Sequence, residues 1–132
     1  MSTEIRVSAG VLVDESGYAL VVRKRGARVF QQPGGKPDPG ESALDALLRE
    51  VREEVGVALD AGAVEALGTF RDEAANEPGH TVVGDAFRAR IRRADVRIGA
   101  EIEDARWLRP GDVEVTPLAN LSRRHLLRFA WD

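Results

Sequence analysis

The most restrictive feature of the sequence is a stretch rich in proline and glycine that leads directly into a helical pattern. Residues 32–40 contain three prolines and three glycines, and such a stretch forms neither a regular helix nor a central strand. Ser42–Val55 then predicts a helix, with Ser42 as N-cap and Gly56 as its end. Its apolar stripe consists of Leu44, Leu47, Leu48, Val51 and Val55. The chain is therefore expected to hold a tight loop against the start of one amphipathic helix.

Apolar and β-branched runs on both sides of this unit predict strands. The strands are expected at residues 5–13, 18–22, 29–30, 64–70, 81–91 and 102–108, and a second helix at 118–131. Residues 14–17 end in glycine and predict a hairpin turn between the first two strands. The order of strands, helix, strands and helix predicts an α/β protein in which a mixed sheet has a helix on each face.

Composition limits the classes of function that remain open. A chain of 132 residues has the size of one domain, so residues 1–132 are expected to form a single domain. The chain has no cysteine and two histidines, which excludes disulfides, zinc ribbons and Fe–S clusters. A net charge of −3 argues against broad binding of nucleic acid or of a membrane surface. The absence of a membrane-spanning run and of a signal-peptide pattern at the start predicts a cytoplasmic protein. A homodimer is compatible with the sequence.

Three carboxylates share one flank of the predicted helix. Glu50, Glu53 and Glu54 stand at i, i+3 and i+4, which is the spacing of neighbours on a helix surface. Each pair at about 4 Å repels by about 1 kcal/mol in water and about 4 kcal/mol at an effective dielectric constant near 20. Arg49 can orient one of them but cannot neutralise three. Oxygen ligands without cysteine or histidine suit Mg²⁺ best, with Mn²⁺ as a substitute. A solvated glutamate-rich helix is the alternative interpretation.

The spacing of residues around these carboxylates resembles a known family signature. The chain reads Gly35, five residues, Glu41, seven residues, Arg49-Glu50-Val51, one residue, Glu53-Glu54, one residue and Gly56-Val57. This segment resembles the Nudix box of the Nudix hydrolases at every defining position. The resemblance implies an α/β/α sandwich with a mixed sheet between the helices. It also implies Mg²⁺-dependent hydrolysis of a nucleoside diphosphate linked to another group, X.

The resemblance assigns roles within this segment. It implies a metal site formed by Glu50, Glu53, Glu54 and Gly35, and catalytic roles for Glu53, Glu54 and Arg49. Arg49 would pair with a carboxylate and hold it in register, and Gly35 would also allow the substrate to approach the backbone.

Outside the box, four further residues are candidates by resemblance. Arg23 ends the predicted second strand, where many Nudix members place a basic residue against the substrate phosphates, and Lys36 is a second candidate for that contact. Glu101 resembles the loop glutamate that faces the metals in MutT-type members, with Glu103 as its competitor. Asn120 resembles the asparagine that reads the purine edge, because a carboxamide offers donor and acceptor together. Asparagine is also a common residue at the start of a helix.

The polar loop of residues 73–79 has two interpretations. It is either a solvated hairpin loop between strands or a loop that reaches the substrate through Asn76 or His80.

The leading expectation for X is a nucleoside triphosphate, including an oxidised purine nucleotide, cleaved to the monophosphate and pyrophosphate. Hydrolysis of ADP-ribose or of a nucleotide sugar is the runner-up, and removal of the 5′ diphosphate from RNA is a further enzymatic option. A non-catalytic nucleotide-binding module is the alternative from another class. The presence of all the box carboxylates favours an enzyme acting on phosphoric anhydride bonds of a small nucleotide substrate.

Overall fold

A mixed sheet forms the centre of the computed structural model, which describes residues 3–75 and 77–132. Its elements are β1 (Glu4–Val13), β2 (Ala19–Lys24), β3 (Gly34–Gly35), α1 (Ala43–Val55), β4 (Glu65–Glu73), β5 (Thr81–Arg90) and β6 (Ile102–Leu108). The strand order is β4-β5-β1-β2-β6, with β3 added to β1. β1 and β5 run parallel along their whole length, and the other pairs are antiparallel. The prediction of a mixed sheet is confirmed.

The two faces of the sheet are covered by different helical segments. Successive side chains of a strand point to opposite faces. Leu12 of β1 accordingly packs with Leu47 of α1, whereas Val11 packs with Leu126 on the other face. Residues 120–130 form that second cover, which we call the C-terminal helical segment. The sheet therefore lies between helices, as the fold-class prediction states.

The loop rich in proline and glycine separates the two central strands. β1 and β2 pair only next to their hairpin, and residues 31–35 lie between them farther along. Gln31 exchanges two backbone hydrogen bonds of 2.8 Å with β2, while Gly34 lies opposite Ala9 of β1. A Cβ at Gly34 would lie 2.0 Å from the carbonyl oxygen of Ser8. Glycine is thus required there, and the inserted segment opens a cleft in the sheet.

The ends of α1 are set by the residues that the sequence indicates. The Ser42 hydroxyl accepts a hydrogen bond of 3.0 Å from the backbone N–H of Asp45. Gly56 adopts the left-handed conformation with φ 73°, and its N–H donates to the carbonyl of Arg52 at 3.0 Å. Both predicted caps are confirmed. Within residues 3–75 and 77–132, no helix is long and apolar enough to cross a membrane.

The second helix starts later and is less regular than predicted. The backbone of Phe30 pairs with the residues on both sides of Leu118. Its N–H donates to the carbonyl of Pro117 at 2.8 Å, and its carbonyl accepts from the N–H of Ala119 at 2.9 Å. This parallel bridge holds residue 118 extended, so the helical turns begin only at Asn120. A π-helical turn (Ser122–Leu126) and a 3₁₀ turn (Leu127–Ala130) follow. Phe30 and Gln31 form isolated bridges in place of the strand predicted at residues 29–30.

β4 extends three residues beyond its predicted end at Phe70. The added residues look like loop because they are polar, but they pair with β5 up to the Glu73–Thr81 register. Asp72 is buried there between Arg124 at 3.0 Å and His125 at 3.1 Å. Tertiary ion pairs therefore stabilise a strand that local composition does not indicate.

Candidate active site

A pocket of about 450 Å³ opens where residues 31–35 separate β1 from β2. Its charged lining comes from the end of β2, the loop before α1, α1 itself, the end of β4 and the loop after it: Lys24, Lys36, Glu50, Glu73 and Glu77. Its apolar lining comes from β1, β5 and the C-terminal helical segment: Ile5, Val7, Ala9, Val82, Leu121 and Leu126. One pocket thus combines charged groups for an anion or a cation with an apolar surface.

Gly35 brings the backbone into contact with a carboxylate of α1. A Cβ at Gly35 would lie 2.3 Å from Oε2 of Glu50, so only glycine leaves room for this close approach. Glu50 is mostly buried, and its Oε1 accepts a hydrogen bond of 2.5 Å from Nη1 of Arg49. The absence of a side chain at Gly35 therefore leaves space for the Glu50 carboxylate at the wall of the pocket.

Arg49 gathers three of the box carboxylates, and we call this set the arginine network: Arg49, Glu41, Glu50 and Glu53. Arg49 donates two hydrogen bonds of 2.9 Å to the two oxygens of Glu41. Nη1 also contacts Glu50, and it lies 3.5 Å from Oε2 of Glu53. A further bond of 3.1 Å to the carbonyl of Lys36 ties the network to the loop before α1.

Hydrogen bonds shift the pKa values of Glu41 and Arg49 in opposite directions. The two bonds from Arg49, together with the backbone N–H of Asp38, lower the pKa of Glu41 to about 2. The bonds to Glu41 and Glu50 raise the pKa of Arg49 above its already high usual value. Arg49 and Glu41 are therefore both charged across the physiological range.

Glu54 lies in a different environment, one turn along α1 from Glu50, in what we call the Lys24–Glu54 pair. Its side chain is 3% exposed. Oε1 accepts a hydrogen bond of 3.2 Å from the N–H of Gly34. Oε2 lies 3.5 Å from Nζ of Lys24 and has no hydrogen-bond partner among the residues that the structure describes. Burial raises the pKa of Glu54 to about 7, with the charge of Glu50 adding to the effect and Lys24 opposing it.

The donor set fits a hard divalent cation. Among the described residues, no three histidine, cysteine or acidic side chains are already gathered closely enough to hold a metal ion. Glu50 and Glu53 contact Arg49 in the arginine network. However, two carboxylates supply oxygen ligands of the type that Mg²⁺ and Mn²⁺ prefer. These are Glu54, whose Oε2 has no hydrogen-bond partner among the described residues, and Glu50, which lies against Gly35.

The structure places Lys24, rather than Arg23, at the pocket. The Arg23 guanidinium donates to the carbonyl of Ala27 at 3.3 Å and lies 5.8 Å from the centre of the Phe30 ring, and Arg23 does not line the pocket. Sequence reasoning missed Lys24, although the alternation of β2 offered a signal. Val22 packs against α1, so the side chain two residues on shares that face.

Glu101 lies on a loop that packs against the end of α1 but outside the pocket. The N–H of Gly99 donates to the carbonyl of Glu54 at 2.8 Å, which fixes this loop near the box carboxylates. Glu101 is exposed, and its carbonyl accepts from the N–H of Arg25 at 2.9 Å. Glu103, its competitor, forms an ion pair of 2.5 Å with Arg25.

Asn120 and the loop of residues 73–79 are placed differently with respect to the pocket. Asn120 is half-buried at the start of the C-terminal helical segment, and its two neighbours line the pocket while Asn120 itself does not. The loop contributes Glu73, Ala74, Ala75 and Glu77 to the lining. His80 is not part of the lining, and Asn76 lies outside the described residues.

Gln32 is a pocket residue that sequence reasoning did not identify. It is 3% exposed, and its backbone N–H donates to the hydroxyl of Ser122 at 3.3 Å. A polar residue beside proline and glycine is expected to face water, so no sequence signal marks it as buried. Its burial results from the insertion of residues 31–35 into the sheet.

Comparison with known families accounts for the fold and the site together. The family model described as NUDIX domain matches residues 4–129. The chain therefore belongs to the NUDIX family, and it is a hydrolase of pyrophosphate bonds.

Individual relatives differ in the activities that their names state. The Bacillus subtilis (strain 168) protein named "Putative 8-oxo-dGTP diphosphatase" is 28% identical over 114 residues, which cover 86% of this chain and 72% of that protein. The RNA pyrophosphohydrolase of Legionella pneumophila (strain Corby) is 43% identical over 67 residues, covering 50% of this chain and 37% of that protein. The solved NUDIX domain of Shewanella oneidensis NrtR, complexed with ADP ribose, matches with a TM-score of 0.77 at 21% identity, covering 96% of this chain and 86% of that chain. This last likeness shows the fold alone.

Proposed function

We propose that this chain hydrolyses a nucleoside triphosphate to the monophosphate and pyrophosphate, with Mg²⁺ as cofactor and Mn²⁺ as a substitute. The observation that carries the proposal is the composition of one pocket. Carboxylate and lysine side chains line it together with an apolar surface large enough for a nucleobase. An oxidised purine nucleotide is the specific candidate, because a relative covering most of both chains is named for 8-oxo-dGTP.

The box carboxylates would hold the metal. Glu50, Glu53 and Glu54 are the ligands, and the backbone at Gly35 lies beside them. A bound Mg²⁺ polarises phosphoryl oxygens and lowers the pKa of a bound water. Arg49 would hold Glu50 and Glu53 in register for this role, and the paired hydrogen bonds to Glu41 keep that arginine in place.

Glu54 is the candidate for proton handling within this set. In the metal-free protein, this buried carboxyl with a pKa of about 7 exchanges a proton near neutral pH, and it would release that proton on binding a cation. Glu53 and Arg49 assist as ligand and positioning group. Glu101 is retained as a further catalytic candidate, supported by the packing of its loop against the end of α1.

The substrate phosphates are assigned to lysines. Lys24 and Lys36 both line the pocket, and an ammonium group is a compact charge suited to phosphate. Gly35 allows the substrate to approach the protein backbone at the same point. Arg23 would contact the substrate only if its guanidinium left Phe30, and Asn120 only if it turned toward the pocket from its position at the rim.

Activity on ADP-ribose, nucleotide sugars or RNA receives less support. The ADP-ribose-bound neighbour shares the fold at 21% identity. The likeness to the RNA pyrophosphohydrolase covers 37% of that protein, and a chain with net charge −3 lacks the excess of basic residues that favours a long polyanion.

A turnover panel with Mg²⁺ tests the proposal. It contains the common (d)NTPs, 8-oxo-dGTP, ADP-ribose, a nucleotide sugar and a 5′-triphosphorylated RNA, with products resolved by ³¹P NMR. We expect pyrophosphate and a monophosphate from a triphosphate. Glu53→Gln should abolish turnover, and Glu114→Gln, at an exposed site remote from the pocket lining, should not.

Turnover of ADP-ribose or RNA with free triphosphates untouched would contradict the proposal. Binding of nucleotides without turnover by the wild-type chain would instead favour the non-catalytic alternative.

A further inference from the structure

The carboxamide of Gln32 is buried without hydrogen bonds beside the pocket. Gln32 is 3% exposed, and neither Oε1 nor Nε2 has a hydrogen-bond partner among the described residues. Within that part of the chain, it is the one side chain in which both an acceptor and a donor are buried and unsatisfied. Since buried polar groups in folded proteins are nearly always paired, such an exception requires an explanation.

The surroundings of Gln32 offer the carboxamide no obvious partner. The hydroxyl of Ser122 already accepts the backbone N–H of Gln32 at 3.3 Å. The lining from β1 and the C-terminal helical segment is otherwise mainly apolar and includes Ala9, Leu121 and Leu126, and the Ser8 hydroxyl in that lining donates to the carbonyl of Ala43. A polar group placed in such a setting is stabilised when a ligand brings the complementary donor and acceptor.

The position of Gln32 along the chain keeps it close to the residues assigned to the phosphate groups. Gly35, which touches Glu50, follows Gln32 by three residues, and three extended residues span at most about 10 Å. A nucleotide whose phosphates lie at Gly35 and Lys36 would therefore bring its base to the neighbourhood of Gln32.

We propose that the Gln32 carboxamide reads the base of the bound nucleotide. The inference rests on the proposed function, which supplies a nucleotide as ligand. Oε1 accepts from an N–H on the base edge while Nε2 donates to an adjacent carbonyl or ring nitrogen. A carboxamide provides both groups in one plane, and bidentate pairs of this kind discriminate between bases. Gln32, rather than Asn120, is then the residue that sets base preference.

The first test measures kcat and KM for the four common dNTPs and 8-oxo-dGTP with wild-type protein, Gln32→Leu and Asn120→Ala. Leucine has a similar volume and removes both hydrogen-bonding groups. We expect Gln32→Leu to lower the kcat/KM ratio between the preferred and the least preferred dNTP by about 10–100-fold, mainly through KM. Asn120→Ala should keep the wild-type order of preference. The melting temperature of nucleotide-free Gln32→Leu should be unchanged or higher, because no hydrogen bond is lost.

The second test uses the wild-type chain and does not depend on the folding of a variant. The sequence contains two glutamines and two asparagines, so the four side-chain NH₂ groups can be assigned in a ¹⁵N–¹H spectrum. The probes are the non-hydrolysable α,β-imido analogue of the preferred dNTP and inorganic tripolyphosphate. We expect the Gln32 NH₂ resonances to shift with the nucleotide analogue and to stay in place with tripolyphosphate.

Three results would overturn the inference while leaving triphosphate hydrolysis intact. The first is equal turnover of all the dNTPs by wild type, and the second is an unchanged preference ratio in Gln32→Leu. The third is that the Gln32 NH₂ resonances do not shift when the nucleotide analogue binds. A lower melting temperature with an unchanged ratio would show that Gln32 is structural. A wild-type chain that hydrolyses no triphosphate would instead refute the proposed function, and this inference with it.

Discussion

Glu41 and Glu54 both face a basic side chain, yet their pKa values move in opposite directions. In the arginine network, two hydrogen bonds from Arg49 lower the pKa of Glu41 to about 2. In the Lys24–Glu54 pair, burial raises the pKa of Glu54 to about 7 although Lys24 is nearby. Both carboxyls come from the same 23-residue signature, Gly35–Val57.

The difference lies in hydrogen-bond geometry and access to water. Arg49 presents a planar fork that satisfies both oxygens of Glu41, and such bidentate pairs are the strong ones. Lys24 stands 3.5 Å from Oε2 of Glu54 without a hydrogen bond, so its charge does not compensate for the lost hydration. Arg49 and Glu41 thus keep their charges and hold each other in place. The Glu54 carboxyl can instead exchange a proton or accept a cation.

The largest effect expected from this comparison is on turnover. Glu54→Gln should lower kcat by about 10²–10⁴-fold, because it removes a metal ligand and the candidate base. In the metal-free protein at pH 8, the same variant should unfold at a higher urea concentration, since it removes a buried charge. Glu53→Gln should also lose activity, but its stability should stay at the wild-type value because Glu53 is 59% exposed. A Glu54→Gln variant that is both active and less stable than wild type would contradict the role of Glu54 as a buried, unsatisfied carboxylate needed for turnover.

The second effect is a pH dependence of stability. The pKa of Glu54 is raised in the folded protein to about 7 from 4.5. The folded state therefore holds a proton that the unfolded state has released. The free energy of unfolding should fall as pH rises from about 4.5 to about 7, by at most about 3 kcal/mol, since one pKa unit corresponds to about 1.4 kcal/mol.

Urea unfolding of EDTA-treated protein at intervals of pH measures this slope. Glu54→Gln should flatten the curve between pH 4.5 and pH 7, whereas Glu53→Gln should retain it. An equal slope in both variants would assign the proton to another group.

The helix and its carboxylates were predictable because they depend on local sequence. Capping by Ser42 and Gly56 and the apolar stripe are sufficient to define α1 and to place Glu50, Glu53 and Glu54 on one flank. Helical spacing does not report how much water reaches each position. Glu53 is 59% exposed and Glu54 is 3% exposed, although they are adjacent, because Lys24 and Gly34 cover only the second.

The pocket itself was harder to predict because it arises from long-range contacts. The segment that carries Gln32 is polar and rich in turn residues, yet it is buried between β1 and β2 by pairing with both. The late start of the second helix has a similar origin, since the bridge between Phe30 and Leu118 joins residues far apart in sequence. Local patterns do not encode which distant strand a loop will enter.

The third effect tests the geometry of the arginine network. Arg49→Lys keeps the charge but cannot bond both oxygens of Glu41, so the pKa of Glu41 should rise toward its usual value. A weaker anchor for Glu50 and Glu53 should lower kcat by about 10–100-fold, as for other groups that orient metal ligands. A carboxyl NMR titration measures the pKa, with Arg97→Lys as a surface control remote from the pocket. Unchanged titration of Glu41 would show that charge alone holds the network.

The smallest effect separates two neighbouring basic residues of β2. Lys24→Met should raise KM by about 10-fold, the equivalent of one charged hydrogen bond to a phosphate, and it should raise the pKa of Glu54 further by removing the opposing charge. Arg23→Met is the matched comparison, because Arg23 lies on the opposite face over Phe30. Its effect on KM should be smaller, and Glu54 should titrate as in wild type. If Arg23→Met raises KM as much as Lys24→Met does, then the resemblance-based prediction of Arg23 is correct and its side chain turns to the phosphates when substrate binds. Measuring KM together with the Glu54 titration distinguishes these cases, since only Lys24 is close enough to Glu54 to change both.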